Sequence, residues 1–198
     1  MVASPQGVEV VRTLLELLPR FDIIGIDMPI GMSGDGRRLC DTEARKALSH
    51  RSSTVFPVPP RSLVHHTDYA TANQESKDRF GRGIPKQAFA IWPKIREVDT
   101  VACLFPLRLV EIHPECSFAA MAGELLPSKR SDAGKKFREK VLREHFAEVA
   151  TTLPGAKPDD VLDAQAVLWS AQRFAAGTHR TLGDGATDAC GLPMRIIV

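Results

Sequence analysis

The sequence predicts an α/β fold, and three observations carry that reading. Two short apolar runs, FDIIGID at 21–27 and LRLVEI at 107–112, read as strands, and each ends in a polar, acidic tip. Around them lie segments whose apolar residues recur three and four apart, the period of amphipathic helices. The chain closes on PMRIIV, which reads as a terminal strand.

Composition sets the frame. The chain has 198 residues, 43% hydrophobic and 25% charged, so a single domain over 1–198 is expected, able to bury roughly 70% of its unfolded surface. Disorder and membrane spanning are both disfavoured, because every apolar run is broken by a charge before it reaches spanning length. The 26 basic residues against 24 acidic ones leave a net charge of +2, too little for bulk charge to drive nucleic-acid binding, so any basic patch must be local. Cys40, Cys103, Cys116 and Cys190 are scattered, with no C-x-x-C pair, and reduced structural thiols are expected. The start MVASPQGVEVV has no basic segment followed by an apolar stretch, and a cytoplasmic protein is expected.

Taken in order, Val8, Val11, Leu14, Leu15 and Leu18 place one apolar stripe on an amphipathic helix. FDIIGID follows as a buried strand, covered on both faces, ending at Asp27. Glycines at 31, 34 and 36 mark a loop, and Asp41 can cap a short helix through Leu48. HRSSTVFPVPPR, 50–61, is a loop, since Pro57, Pro59 and Pro60 forbid a regular helix. Tyr69–Phe80 is weakly helical, and a helix over Gln87–Val98 is kinked or opened by Pro93. LRLVEI then forms a second strand, parallel and adjacent to the first. A short helix starts at Phe118, and a further helix runs through Phe137, Val141, Leu142 and Phe146. Lys129, Arg130, Lys135, Lys136, Arg138, Lys140 and Arg143 concentrate there, the pattern of a solvated face. Asp159–Phe174 is the last helix, opened by Pro158.

Acidic residues lie at the ends of these elements: Asp27 after the first strand, Glu111 and Glu115 around the second, Asp160 and Asp163 in the last helix. In α/β sheets ligands gather beyond the carboxyl ends of the strands. Asp160 and Asp163 are three apart on a helix, so one side carries both carboxylates, as a shared divalent cation requires. Converging carboxylates repel one another, and Mg²⁺ or Mn²⁺ bound through oxygen relieves that repulsion. Each residue also has a plainer reading. Asp159 and Asp160 can serve the helix start, Asp27 can bond the glycine loop, His113 can be packed, and Glu111 can be solvated.

At IGIDMPIGM, VFPVPPR, QAFAIWPKIREVD, EIHPECSFAAM and DDVLDAQAVLWSAQRF the chain resembles a bacterial family of predicted nucleases in the ribonuclease H-like superfamily, from about residue 21 to the C-terminus. The resemblance implies a five-stranded mixed sheet with flanking helices, and acids from the first strand, the fourth strand and a late helix around two divalent cations. By position Asp27 corresponds to the fourth-strand acid, and D-x-x-D-A at Asp160, Asp163 and Ala164 looks like the closing helix motif of Holliday-junction resolvase relatives. Glu111, His113 and Glu115 match the family's E-x-H-P-E string. The family's first, aspartate-bearing strand and its three-strand meander are expected to be missing.

The function that follows is two-metal phosphodiester hydrolysis. Asp27, Asp160 and Asp163 are the expected Mg²⁺ or Mn²⁺ ligands, with Glu111 and Glu115 beside them. Arg51, Arg61, Lys94, Arg96 and His113 are the expected contacts to nucleic acid or another phosphodiester. The rival is a catalytically inactive nucleic-acid-binding or scaffolding protein of the same fold, which a missing first aspartate favours. A kinase of the sugar-kinase and actin-like kind, which the shared core fold would allow, is disfavoured because the glycine-rich phosphate loops on two hairpins are not seen, and a P-loop reading fails because G-x-x-x-x-G-K-[ST] is absent. No membrane is involved. If FDIIGID begins the sheet, its open edge exposes Ile23, Ile24 and Ile26, and a two-fold homodimer is one way to cover it.

Overall fold

The computed structural model describes residues 1–124, 127–129 and 131–198. Strands β1 (Val2–Ser4) and β2 (Gly7–Glu9) form an antiparallel hairpin. A 3-10 turn at Leu14–Leu17 leads into β3 (Ile24–Ile26). Helices α1 (Leu39–Leu48), α2 (Tyr69–Phe80), α3 (Lys86–Ala90) and α4 (Trp92–Leu104) separate β3 from β4 (Leu109–Glu111). Then come α5 (Pro114–Ala122), α6 (Asp132–Arg143), α7 (Pro158–Ala175), β5 (Thr181–Leu182) and β6 (Ile196–Ile197).

The two strands read from the sequence pair in parallel, Ile24 opposite Leu109 and Ile26 opposite Glu111. A parallel bridge from Ile112 to Ile197 carries the pairing on to β6, which is antiparallel to β5. Alternation decides the two faces of β3. Ile24 and Ile26 pack with Leu14, Leu17, Val98 and Val101, while Ile23 faces a second cluster with Val110, Ile112, Val167 and Ala171. Gly25 lies on that second face, where a Cβ would come within 2.6 Å of Ile112 Cδ1 and 3.1 Å of Val167 and Ala171. The absent side chain lets α7 lie directly on β3, and this close approach brings Asp163 of α7 toward the strand tips.

Several expectations need correcting. Residues 8–18 are no continuous helix: Val8 and Glu9 are in β2, and only Leu14–Leu17 turns helically. Gly7–Glu9 satisfies its backbone in the hairpin with Val2–Ser4, and Glu16 ends the extended stretch by accepting from the Thr13 N–H at 2.9 Å. The segment before β3 therefore contains two strands, where the whole three-strand meander was expected to be missing. Val2, Val11 and the 3-10 turn cover the Ile24 face, so the expected bare apolar face is closed.

Asp41 is no cap. It is buried in the first turn of α1, paired with Arg38. The start of the expected 50–61 loop belongs to a 3-10 turn over Ser49–Thr54. Pro93 falls in the first turn of α4 and separates it from α3, as its missing N–H requires. On α6 most of the basic run is exposed, but Arg138 is buried; Arg130 lies outside the described residues. No helix among the described residues is long and apolar enough to cross a membrane.

Candidate functional site

A cleft of about 750 Å³ opens beyond the carboxyl ends of β3 and β4, bordered by Asp27, His113, Glu115, Arg51, Lys129 and Asp163. Asp27 is the first residue after β3, and His113 follows β4, so the parallel register delivers both to the same tip. Asp163 comes from the second turn of α7, which packs on β3 over Gly25.

The Asp27 side chain is reached by solvent through the cleft but is otherwise hemmed in by protein, and no described residue donates a hydrogen bond to it. Desolvation raises its pKa to about 6; the Asp163 and Glu115 charges push the same way, while His113 and Lys129 oppose them. Asp163 is raised as well, first by desolvation and then by Glu115, with Lys129 pulling it back. Lys129 Nζ donates to Asp163 Oδ2 at 2.9 Å, and Asp163 Oδ1 is buried with no partner among the described residues. Burial works against the Lys129 charge, but Asp163 outweighs it and holds the ammonium above its ordinary pKa.

The two glutamates of E-x-H-P-E are clamped by arginines. Glu111 is buried and receives both terminal nitrogens of Arg38, at 2.6 and 2.7 Å, together with the Ile30 N–H at 2.7 Å. Arg38 also donates to the Ile30 and Gly31 carbonyls, so the pair ties β4 to the loop that follows Asp27. Burial weighs against the Arg38 charge, and Glu111 and Asp41 overcome it, leaving its pKa well above the ordinary value. Glu115 takes a bidentate pair from buried Arg138, at 2.9 and 2.8 Å, and Arg51 approaches it at 3.3 Å. Arg138 also holds the Pro127 carbonyl at 2.9 Å, two residues before Lys129. Each glutamate thus fixes a segment that presents a cleft residue. His113 donates from Nε2 to the Thr54 carbonyl at 3.2 Å, and its buried Nδ1 has no partner among the described residues.

Not every expected residue converges here. Asp160 is exposed in the first turn of α7, outside the cleft lining, where its charge favours the helix dipole. Arg61 is committed to Asp99 and Asp188, and Arg96 to the carbonyls of Val64 and His66. Lys94 is exposed and also outside the lining. Arg51 and His113 do border the cleft. Sequence reasoning assigned no site role to Arg38, Arg138 or Lys129. The last two stood inside the basic run, and nothing in their local pattern distinguishes them from solvated neighbours.

Among the described residues, no three His, Cys, Asp or Glu side chains converge as a metal cage, and of the three expected aspartates Asp27 and Asp163 border the cleft while Asp160 does not. A Mg²⁺-type ion is bound through one or two carboxylates and keeps several waters, so Asp27 and Asp163 suffice for it. The partnerless buried Asp163 Oδ1 and the unbonded Asp27 carboxylate fit that requirement.

No match was found among curated proteins or among solved structures. A family model described as "Protein of unknown function (DUF429)" matches residues 4–188, nearly the whole chain. The chain, with its E-x-H-P-E glutamates clamped by Arg38 and Arg138, therefore belongs to the DUF429 family.

Proposed function

We propose that this chain is a metal-dependent phosphodiester hydrolase on a ribonuclease H-like scaffold, acting on nucleic acid or another phosphodiester. The observation that carries the reading is the cleft pair Asp27 and Asp163: two carboxylates that desolvation holds above their ordinary pKa, the Asp163 charge adding to the rise at Asp27, with oxygens that have no partner among the described residues. The parallel β3–β4 core, with acids at its carboxyl tips and a late helix packed across it, supports the scaffold.

Asp27 and Asp163 would hold Mg²⁺ or Mn²⁺. Once bound, such an ion supplies Lewis acidity and lowers the pKa of an attacking water. Lys129 neutralises Asp163 in the resting state and stands within the same cleft as a cation for the phosphate oxygens. Arg51 and His113 border the space the phosphodiester would fill. Glu111 and Glu115 act through Arg38 and Arg138 and hold the loops in place.

The test is cleavage of single- and double-stranded nucleic acid and of a small phosphodiester, with Mn²⁺ or Mg²⁺ against a chelator. Asp27→Asn and Asp163→Asn should lower the rate at least about 100-fold, or about 2.7 kcal/mol of barrier. Metal-independent cleavage, or full activity in both variants, rejects the assignment.

A second reading, a nucleic-acid-binding or scaffolding protein without catalysis, is favoured by the absence of a three-ligand cage among the described residues and by the Lys129 pair on Asp163. Binding unaccompanied by cleavage, and unchanged in Asp163→Asn, would select it. Self-association is part of the proposal too, since among the described residues β3 is paired on one side, with β4. A strictly monomeric chain in light scattering at micromolar concentration would remove it.

A further inference from the structure

Two cysteines far apart in the sequence meet at the surface. Cys103 lies in the last turn of α4, four residues after Asp99, so the two share a helix face. Asp99 accepts from both terminal nitrogens of Arg61, at 2.9 and 2.7 Å, and Arg61 also bonds Asp188. The other Asp188 oxygen accepts the Cys190 N–H at 2.8 Å and the Leu192 N–H at 3.0 Å, which shapes a tight turn with Cys190 near its tip. The Asp99–Arg61–Asp188 bridge thereby draws the two cysteine-bearing segments together, close enough for the Cys190 thiol to bear on that of Cys103. Both cysteines are exposed, whereas Cys40 and Cys116 are buried.

We propose that Cys103 and Cys190 form a reversible intramolecular disulfide that ties α4 to the turn at 188–191. The oxidant is a low-molecular-weight disulfide of the glutathione class. One protein thiolate attacks it, forming a mixed disulfide and releasing one small thiol. The second protein thiol loses its proton and attacks the protein sulfur of that mixed disulfide, and a second small thiol leaves. Two protein S–H groups become one S–S bond, and the two electrons and two protons end on the two small thiols.

Desolvation, Asp99 and the neighbouring thiol hold Cys103 above the ordinary thiol range, which suits it to the second, resolving step. The bond has a route to the cleft, because Asp188 also accepts the Met32 N–H at 2.9 Å on the loop that follows Asp27. It does not depend on the hydrolase reading. The buried thiols are built-in controls: burial pushes Cys40 and Cys116 up to about 12, out of reach of the exchange.

The experiment equilibrates the full folded chain in glutathione buffers of rising oxidised fraction, blocks remaining thiols with N-ethylmaleimide without unfolding, and weighs the intact protein. Reduced chain should take two labels. Oxidised chain should take none, weigh two hydrogen atoms less before labelling, and yield one tryptic species joining Cys103 to Cys190. Cys103→Ser and Cys190→Ser should each instead stop at a single glutathione adduct. Two glutathione adducts on the wild type, a disulfide between two chains, or two labels at every buffer ratio would overturn the proposal.

Discussion

Lys129 Nζ sits 2.9 Å from one oxygen of Asp163 while the other oxygen of that carboxylate is buried without a partner among the described residues. One oxygen is held by the chain's own ammonium, and the other is left for a ligand. Replacing the lysine, Lys129→Gln, takes away the carboxylate's hydrogen-bonded cation and leaves only the more distant Arg138 charge. Because Lys129 is partly exposed, the loss in unfolding free energy should be modest, about 1 kcal/mol at pH 8. Mn²⁺ should restore most of it. Denaturant unfolding with and without Mn²⁺ checks this, and a loss that Mn²⁺ leaves untouched contradicts it.

Asp27 gives the protein a pH signature. Its pKa is raised from 3.8 to about 6 in the folded chain, so between those values the folded state holds a proton that the unfolded state has released. That group's contribution is complete at low pH and is lost as pH rises through about 6. Asp27→Asn removes the cost. It should be more stable than wild type at pH 8, by about 1 kcal/mol once the solvent reaching the carboxylate is allowed for, and equal to it near pH 4. Urea midpoints at the two pH values decide, and an equal difference at both would rule the origin out.

Arg38 and Glu111 are both buried, with Ile30, Gly31 and Asp41 completing their hydrogen bonds. Removing one member leaves an uncompensated buried charge, so Arg38→Met should cost about 3–5 kcal/mol. The double variant Arg38→Met with Glu111→Leu should recover part of that, because Asp41 stays buried without its guanidinium. A thermodynamic cycle measured by denaturant unfolding reads the coupling, and additive costs would mean the pair is not the unit drawn here.

Gly25→Ala tests the strand–helix approach. The new methyl meets Ile112 at 2.6 Å and two α7 side chains at 3.1 Å, which should destabilise by about 1–3 kcal/mol. Because α7 must lift from β3, Asp163 moves away from Asp27 and Mn²⁺ affinity should fall as well. Calorimetric titration of the folded variant measures that second effect; unchanged affinity would show that the close approach does not set the carboxylate pair.

Elements with a strong local signal were legible from the residues. Helix α2 spans Tyr69–Phe80 as its boundaries suggest, with Asp68 capping its start through the Thr71 N–H and Gly81 ending it in the left-handed region. Pro158 opens α7, and the two strands that end at acids pair in parallel. The first segment was misread because Val8, Val11 and Leu14 satisfy a helical period by coincidence, while the hairpin register is a contact between residues the period does not see.

Sequence by itself determined an α/β chain with Asp27, His113 and Asp163 near the ends of its core elements, because periodicity, prolines and glycines act on neighbouring residues. Only the tertiary structure decided which charges are spent and which remain. Arg38 reaches Glu111 across 73 positions and Lys129 reaches Asp163 across 34, while Asp160, three residues from Asp163, stays in solvent. A charge's pairing and pKa depend on distance through space and on the water it loses, and both are set when α7 closes over Gly25.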